Sequence, residues 1–152
     1  MKLQYQTGDI LKAKTDAIVN PVNCVGVMGA GLAAQFKKKY RINFDLYEAA
    51  CGYKQIRPGR VFVTKRHICE YPRYIVNFPT KRHWKDKSRL GDIVDGLIDL
   101  RSNIHEFGIR SVSIPRLGCG LGGLDWEEVK PHVEDMASRL CDCFVYVVYK
   151  KE

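Results

Sequence analysis

Asn20-Pro-Val-Asn-Cys-Val-Gly-Val-Met-Gly-Ala-Gly-Leu-Ala-Ala34 stands between a short apolar run, Ala17 to Val19, and a helical pattern that continues to Tyr40. The apolar run suits a strand buried on both faces, and Leu32, Ala33, Phe36 and Tyr40 recur at helical spacing. Between them Gly26, Gly29 and Gly31 let the backbone approach a ligand, and a helix starting there presents unpaired N–H groups and a positive dipole end. That is the chemistry of a phosphate cradle. An ordinary strand-to-helix connection has the same glycines, so this stretch alone leaves both readings open.

Outward from this loop, strands and helices alternate. Leu3, Tyr5 and Thr7 alternate with polar residues as in a first strand, closed by a Gly8-Asp9 turn. Lys37, Lys38 and Lys39 read as a solvated helix end. Asn43 is expected to cap a second helix carrying Phe44, Leu46, Tyr47 and Ala50 and ending near Gly52. Pro58-Gly59 signals a turn before strands over Val61 to Lys65 and Tyr74 to Phe78. Pro79 to Arg89 is a polar, basic loop. Leu90, Ile93, Val94, Leu97, Leu100 and Ile104 make one apolar helical stripe that stops at Gly108. A strand over Ser111 to Ile114 leads through Pro115 into a second glycine loop, Arg116-Leu-Gly-Cys-Gly-Leu-Gly-Gly-Leu124. Asp125, with Glu128 three residues on, caps a helix whose apolar face is Trp126, Val129, Val133, Met136 and Leu140. Cys143 to Tyr149 closes the chain as a strand. The expectation is one three-layer α/β/α domain over residues 1–152, with a mixed, largely parallel sheet.

Composition bounds the function. The chain has 152 residues, and 25 Lys plus Arg against 17 Asp plus Glu give a formal charge of +8, with a pI near 9.2. That balance favours a polyanionic partner or an anionic ligand. No apolar run is long enough to span a bilayer, and the N-terminus lacks the apolar segment of a signal peptide, so no membrane partner and a cytoplasmic location are expected. The six cysteines are scattered, without Cys-x-x-Cys or zinc-finger histidine spacing. They read as reduced, mostly buried residues, with Cys24 and Cys119 placed beside the glycine loops. No metal site is expected, His83 being isolated.

Two glycine loops, at 26–31 and 118–123, each follow a strand and precede a helix, and together they can hold a diphosphate. Gly29-Ala-Gly31-Leu-Ala-Ala34 matches a dinucleotide-binding fingerprint, but it begins several residues after its strand and lacks the answering acidic residue, since Glu48 falls in a helix. A P-loop fails for want of Gly-Lys-Ser or Gly-Lys-Thr. Asp9 follows a strand, so its carboxylate can accept from an exocyclic amine, or merely form its turn. Lys65 ends a strand beside Arg66, where a neighbouring cation or partial burial would favour the free amine that attacks a carbonyl carbon; a solvated strand-end lysine is the alternative. Thr80, Lys81, Arg82, His83 and Trp84, with Lys85, Lys87 and Arg89 beyond, mix cations with an aromatic ring, as suits a nucleic-acid backbone and a stacked base. A solvated basic loop has the same composition.

With Gly8-Asp9-Ile10, Asp16-Ala-Ile-Val-Asn-Pro-Val-Asn23, the first glycine loop and Pro115-Arg-Leu-Gly-Cys-Gly120 in this order, the chain resembles the macrodomains, a family that binds ADP-ribose. The resemblance implies that Asp9, with Ile10, holds the adenine amine. It implies that Asn23, Gly26, Val27, Met28, Gly29 and Gly31 face the distal ribose and diphosphate, and that Gly118, Cys119, Gly120, Leu121 and Gly122 close over the phosphates. Val-Phe-Val-Thr-Lys65, Asn77-Phe-Pro-Thr-Lys-Arg-His-Trp84 and Gly-Gly-Leu-Asp-Trp126 resemble the DarG antitoxin branch, which removes ADP-ribose from DNA bases and reverses the toxin DarT. A related branch, the terminal ADP-ribose protein glycohydrolases, carries a catalytic aspartate where this chain has Gly122. The branch resemblance implies a lysine-assisted DNA ADP-ribosyl glycohydrolase with Lys65 catalytic, nucleophilic or electrostatic. Thr80 to Trp84 would steer ADP-ribosylated, single-stranded DNA, a DarT-like toxin is an expected partner, and a monomer with no cofactor beyond ADP-ribose itself as ligand is expected. An ADP-ribosylated protein substrate, or binding without turnover, are the alternatives.

Overall fold

The computed structural model describes residues 2–141 and 144–151. A six-stranded sheet has the order β1-β6-β5-β2-β4-β3. Its strands are β1 (Lys2–Thr7), β2 (Ala17–Val22), β3 (Phe62–Lys65), β4 (Tyr74–Pro79), β5 (Ser111–Pro115) and β6 (Val145–Lys150). All neighbours pair in parallel except β3, which runs antiparallel to β4. The helices are α1 (Gly31–Lys39), α2 (Arg41–Gly52), α3 (Leu90–Phe107) and α4 (Trp126–Ser138), and a 3-10 turn, Ile10–Lys12, follows β1. The expected final strand opened at Cys143, which lies outside the described residues.

Alternation along the buried strands sorts the layers. Val19 and Val76 pack with Ile93, Leu97 and Leu100 of α3 and with Val129 and Val133 of α4. Their neighbours Ile18 and Ile75 point to the opposite face and meet Phe36 and Tyr40 at α1, together with Ile10 and Leu11. Val22 and Met28 continue that face into a cluster with Phe44 and Tyr47 of α2. The architecture is the α/β/α sandwich that the alternation predicts.

One expected cap is corrected. Asn43 does not start α2, which begins at Arg41 with Tyr40 before it. Its side chain is buried and hydrogen-bonded: Nδ2 donates to Asn77 Oδ1 at 3.1 Å, and Oδ1 accepts from Thr64 Oγ1 at 2.7 Å and from Asn77 Nδ2 at 2.8 Å. Asn20 Nδ2 joins Asn77 Oδ1 at 3.1 Å. Four polar side chains thus tie β2, β3, β4 and α2 beneath the first glycine loop, a burial tolerable because they bond to one another, with Asn20 Oδ1 left unpaired among them. By contrast Asp125 caps α4 as expected, accepting from Glu127 N at 3.1 Å.

Candidate functional site

The registers Val22 with Pro79, Pro115 with Tyr149 and Thr7 with Lys150 put the carboxyl ends of all five parallel strands on one edge. From β2 the chain crosses to β4 on one side, while β5 lies on the other. In open α/β sheets a crevice opens where the order reverses. Both glycine loops leave from that place, one after β2 and one after β5.

The first loop is folded by its own asparagine. Asn23 Nδ2 donates to Val27 O at 2.8 Å, Asn23 Oδ1 accepts from Val25 N at 3.0 Å, and Tyr47 OH donates to Asn23 O or Oδ1 at 2.7 and 2.8 Å. Met28 is buried in the cluster with Phe44 and Tyr47. Asn23 and Met28, expected to face the ligand, therefore shape and anchor the loop, while Val27 and Gly29 are exposed on its tip. α1 then starts at Gly31 with no capping side chain and no acidic residue in its first turn. Its first N–H groups and dipole are left for an anion. α4 differs: Asp125 caps it and Glu127 and Glu128 occupy its first turn, so it has no comparable place for a phosphate.

The second loop is a series of turns, with Cys119 N bonded to Arg116 O at 3.2 Å, Gly123 N to Gly120 O at 3.1 Å and Leu124 N to Gly118 O at 2.9 Å. The N–H groups of Gly120, Leu121 and Gly122 have no partner among the described residues. Leu121 is exposed at the tip, and a Cβ placed on Gly31 would lie 3.8 Å from its Cδ1. The two loops thus face each other across the start of α1. Gly122 is buried and its carbonyl accepts from Ser88 N at 2.9 Å. A Cβ there would collide with Ser88 Oγ and lie 2.6 Å from Gly118 O, so the position has no room for a longer side chain. Ser88 was not singled out from the sequence, where nothing in the loop marks it.

Asp9 lies at the same edge, since Gly8 N donates to Lys150 O at 3.0 Å. One carboxylate oxygen accepts from Leu11 N at 3.0 Å; the exposed carboxylate keeps its other oxygen for an amine donor. Ile10 is buried behind it.

Lys65 is not brought to this site. The antiparallel register sets Lys65 opposite Tyr74, at the amino end of β4, five residues before Pro79 and therefore about 17 Å from the edge that carries the loops. The lysine just past β4, Lys81, does reach the first loop. Its N–H donates to Val22 O at 3.4 Å, and Cys24 N donates to Arg82 O at 3.3 Å, so residues 80–82 run on beside the start of the first glycine loop. Lys81 Nζ reaches Trp84 O at 3.4 Å and has no carboxylate partner among the described residues.

The basic loop divides. Thr80 is buried, its N–H donating to Val22 O at 2.8 Å, and Arg82 is clamped to Asp92 by two bonds of 3.1 and 3.2 Å. Thr80 is therefore closed off from nucleic acid, whereas the Arg82 side chain stays 46% exposed beside its carboxylate partner. His83 and Trp84 stack at 5.2 Å, Trp84 is 51% exposed, and Lys85 Nζ lies 5.0 Å from its ring centre. Lys87 lies over the second loop, where a Cβ on Gly123 would meet its Cδ at 3.2 Å. A cationic rim with one exposed aromatic ring therefore borders both loops.

The described cysteines are less buried than expected. Cys69 and Cys141 are exposed, and Cys24, Cys51 and Cys119 are half-buried. Burial pushes the Cys24 thiol up to about 11 and also raises Cys119, so neither loop cysteine is poised as a thiolate. Among the described residues no three His, Cys, Asp or Glu side chains gather as a metal site, and no helix is long and apolar enough to cross a membrane.

The fold and both glycine loops match one family. The Macro domain family model covers residues 19–133, and the chain belongs to the macrodomains. Among its relatives, a DNA ADP-ribosyl glycohydrolase of Mycobacterium tuberculosis is 47% identical over 140 residues, 92% of this chain and 40% of that protein. The macrodomain of Mycobacterium tuberculosis DarG superposes with a TM-score of 0.96 at 45% identity, over 99% of this chain and 98% of that one. Thermosipho africanus DarTG in complex with ADP-ribose superposes with a TM-score of 0.87 at 32% identity, over 94% of this chain and 40% of that one. The chain thus spans about two fifths of the length of such curated relatives.

Proposed function

We propose that the chain binds ADP-ribose between its glycine loops and hydrolyses the bond joining the distal ribose to a DNA base, with Lys81 as the catalytic lysine. The similarity to a glycohydrolase named for ADP-ribosylated DNA supports the reaction, and the placement of Lys81 carries the mechanism. The uncapped start of α1 and the free N–H groups of the second loop hold the diphosphate. Asp9 accepts from the adenine amine. That orientation runs the ligand from the β1 and β6 end towards β2 and β4, where the distal ribose meets Lys81.

At the anomeric carbon the lysine has two routes. As a nucleophile it forms a bond from Nζ to that carbon while the bond to the base breaks, the electron pair leaving with the base, and water later displaces the amine through a Schiff base. As a cation it stabilises the departing pair while water attacks directly. In both routes water supplies the hydroxyl on the ribose and the proton on the base. Single-stranded DNA fits the rim, because exposed Trp84 can stack on an unpaired base while Lys85 and Lys87 follow the phosphates. A DarT-like toxin would be the source of the modified substrate. The crowding at Gly122 speaks against an enzyme that needs a carboxylate there, as the protein-directed branch does.

The test is release of ADP-ribose from ADP-ribosylated single-stranded DNA by wild type, Lys81→Ala and Lys65→Ala, with a modified glutamate peptide alongside. Lys81→Ala should lose about 10²- to 10⁴-fold in turnover and still bind ADP-ribose by calorimetry, while Lys65→Ala stays active. Undiminished turnover by Lys81→Ala removes that lysine from the mechanism. Tight ADP-ribose binding by wild type without release from either conjugate leaves a binding module.

A further inference from the structure

Behind the second glycine loop, on the α4 side of the sheet, lies a cavity of about 110 Å³ lined by Tyr5, Gln6, Thr7, Arg116, Val148 and Lys150. It holds several times the ~30 Å³ share of one liquid water, the scale of a tetrahedral oxyanion rather than of a nucleoside. Its wall carries two cations and no carboxylate. Arg116 is held with its guanidinium 5.0 Å from the ring centre of Trp126, which fixes the plane of its donors. Arg116 Nε is buried without a hydrogen-bond partner, and among the described residues neither Arg116 nor Lys150 has an ion-pair partner.

The carboxylates nearby are engaged elsewhere. Glu134 accepts from Tyr5 OH and lies 4.0 Å from Lys130 Nζ, and Asp9 turns one oxygen into its own 3-10 turn. Lys130 Nζ sits 5.5 Å from the Tyr5 ring centre, its charge offset by Glu134. A flat fork and an ammonium on the wall of one small cavity form a donor set for phosphate oxygens.

We propose that this cavity binds a phosphate group, separately from the diphosphate held between the glycine loops. Arg116 supplies the planar fork and Lys150 the point charge. The occupant is either free inorganic phosphate or a backbone phosphate of the DNA strand, and only the second source rests on the DNA reading above. Arg116 opens the second loop, so a strand lying over Lys87 on that loop would deliver a phosphate here.

Inorganic phosphate is titrated into the whole chain while the amide NMR signals of Thr7, Leu117 and Lys150 are followed, for wild type, Arg116→Gln and Lys150→Ala. Lys150 is exposed at a strand end, so its variant should fold even if loss of the Arg116 contact to Trp126 disturbs the domain. In parallel, an unmodified single-stranded oligonucleotide is bound at several salt concentrations. Saturable shifts in wild type, weakened at least fivefold in Lys150→Ala with ADP-ribose affinity unchanged, establish the site. If Lys150→Ala also lowers the slope of log affinity against log salt by about 0.7, a backbone phosphate is the occupant; an unaltered slope assigns free phosphate. The absence of saturable shifts in wild type overturns the proposal. Failure of the chain to act on ADP-ribosylated DNA would sink the functional reading alone, because the phosphate titration needs no turnover.

Discussion

Gly122→Ala tests how tightly the second loop is built. The added Cβ collides with Ser88 Oγ and lies 2.6 Å from Gly118 O and 2.9 Å from Ser88 Cβ. Rotating the serine hydroxyl relieves only the first contact. The Gly118 carbonyl is held by Leu124 N at 2.9 Å, and the Ser88 backbone by its 2.9 Å bond to Gly122 O. Overpacking of this kind costs about 1–3 kcal/mol. The strain has two outlets: it lowers the stability of the fold, or it displaces the loop and weakens ADP-ribose binding. At about 1.4 kcal/mol per tenfold, the second outlet alone corresponds to a loss of roughly 5- to 150-fold in affinity. Urea denaturation and calorimetric titration with ADP-ribose together should recover a total in that range. Ser88→Gly in the same chain removes two of the three contacts and should restore part of the loss, whereas Ser88→Ala should restore less. If Gly122→Ala leaves both measurements at wild-type values, the loop has room at this position. A carboxylate at 122 would then fit, and the preference for a DNA conjugate would lose its structural support.

Asn77→Ala removes a fully buried amide that accepts from Asn20 and Asn43 and donates to Asn43 and to Phe62 O at 3.1 Å. The buried partners left unsatisfied should cost about 3 kcal/mol in chemical denaturation, and a loss under 1 kcal/mol would mean that water replaces the missing bonds. The thiol of Cys24, raised to about 11, should be alkylated by iodoacetamide more slowly than exposed Cys69 at pH 7.5. Its rate should climb about tenfold per pH unit until that value is reached. The same shift fixes a sign for stability: the unfolded thiol ionises near its ordinary value of 9 while the folded one keeps its proton to about 11, so this contribution is lost as pH rises through that window. Alkylation of Cys24 at neutral pH as fast as Cys69 would contradict the burial that raises it.

The fold was legible because its signals are local. Apolar runs, glycine loops and the Asp125 cap each declare an element over a few residues, and right-handed crossovers leave little freedom in joining them. Asn43 misled for a related reason: an asparagine near a helix start is a good cap on propensity alone, and only the buried partners Thr64 and Asn77, distant in sequence, show that it has other work. The site was half legible. Loops at the carboxyl ends of parallel strands follow from the alternation itself, whereas the closure of Gly122 by Ser88 depends on where residues 80–89 fold back, which no short pattern states. The lysine is the instructive case, since the deciding observation was present in the chain. The predicted strands ending at Lys65 and starting at Tyr74 are separated by residues 66–73. A parallel crossover needs about a dozen residues or more, so eight can only turn the chain back. That turn sends the end of β3 to the edge opposite the glycine loops and leaves the residues just after β4 beside them. Connection length alone therefore moves the expected role from Lys65 to Lys81, and it makes the pair a sharp comparison: both are lysines just at or past a strand end, and only the direction of the strand tells them apart.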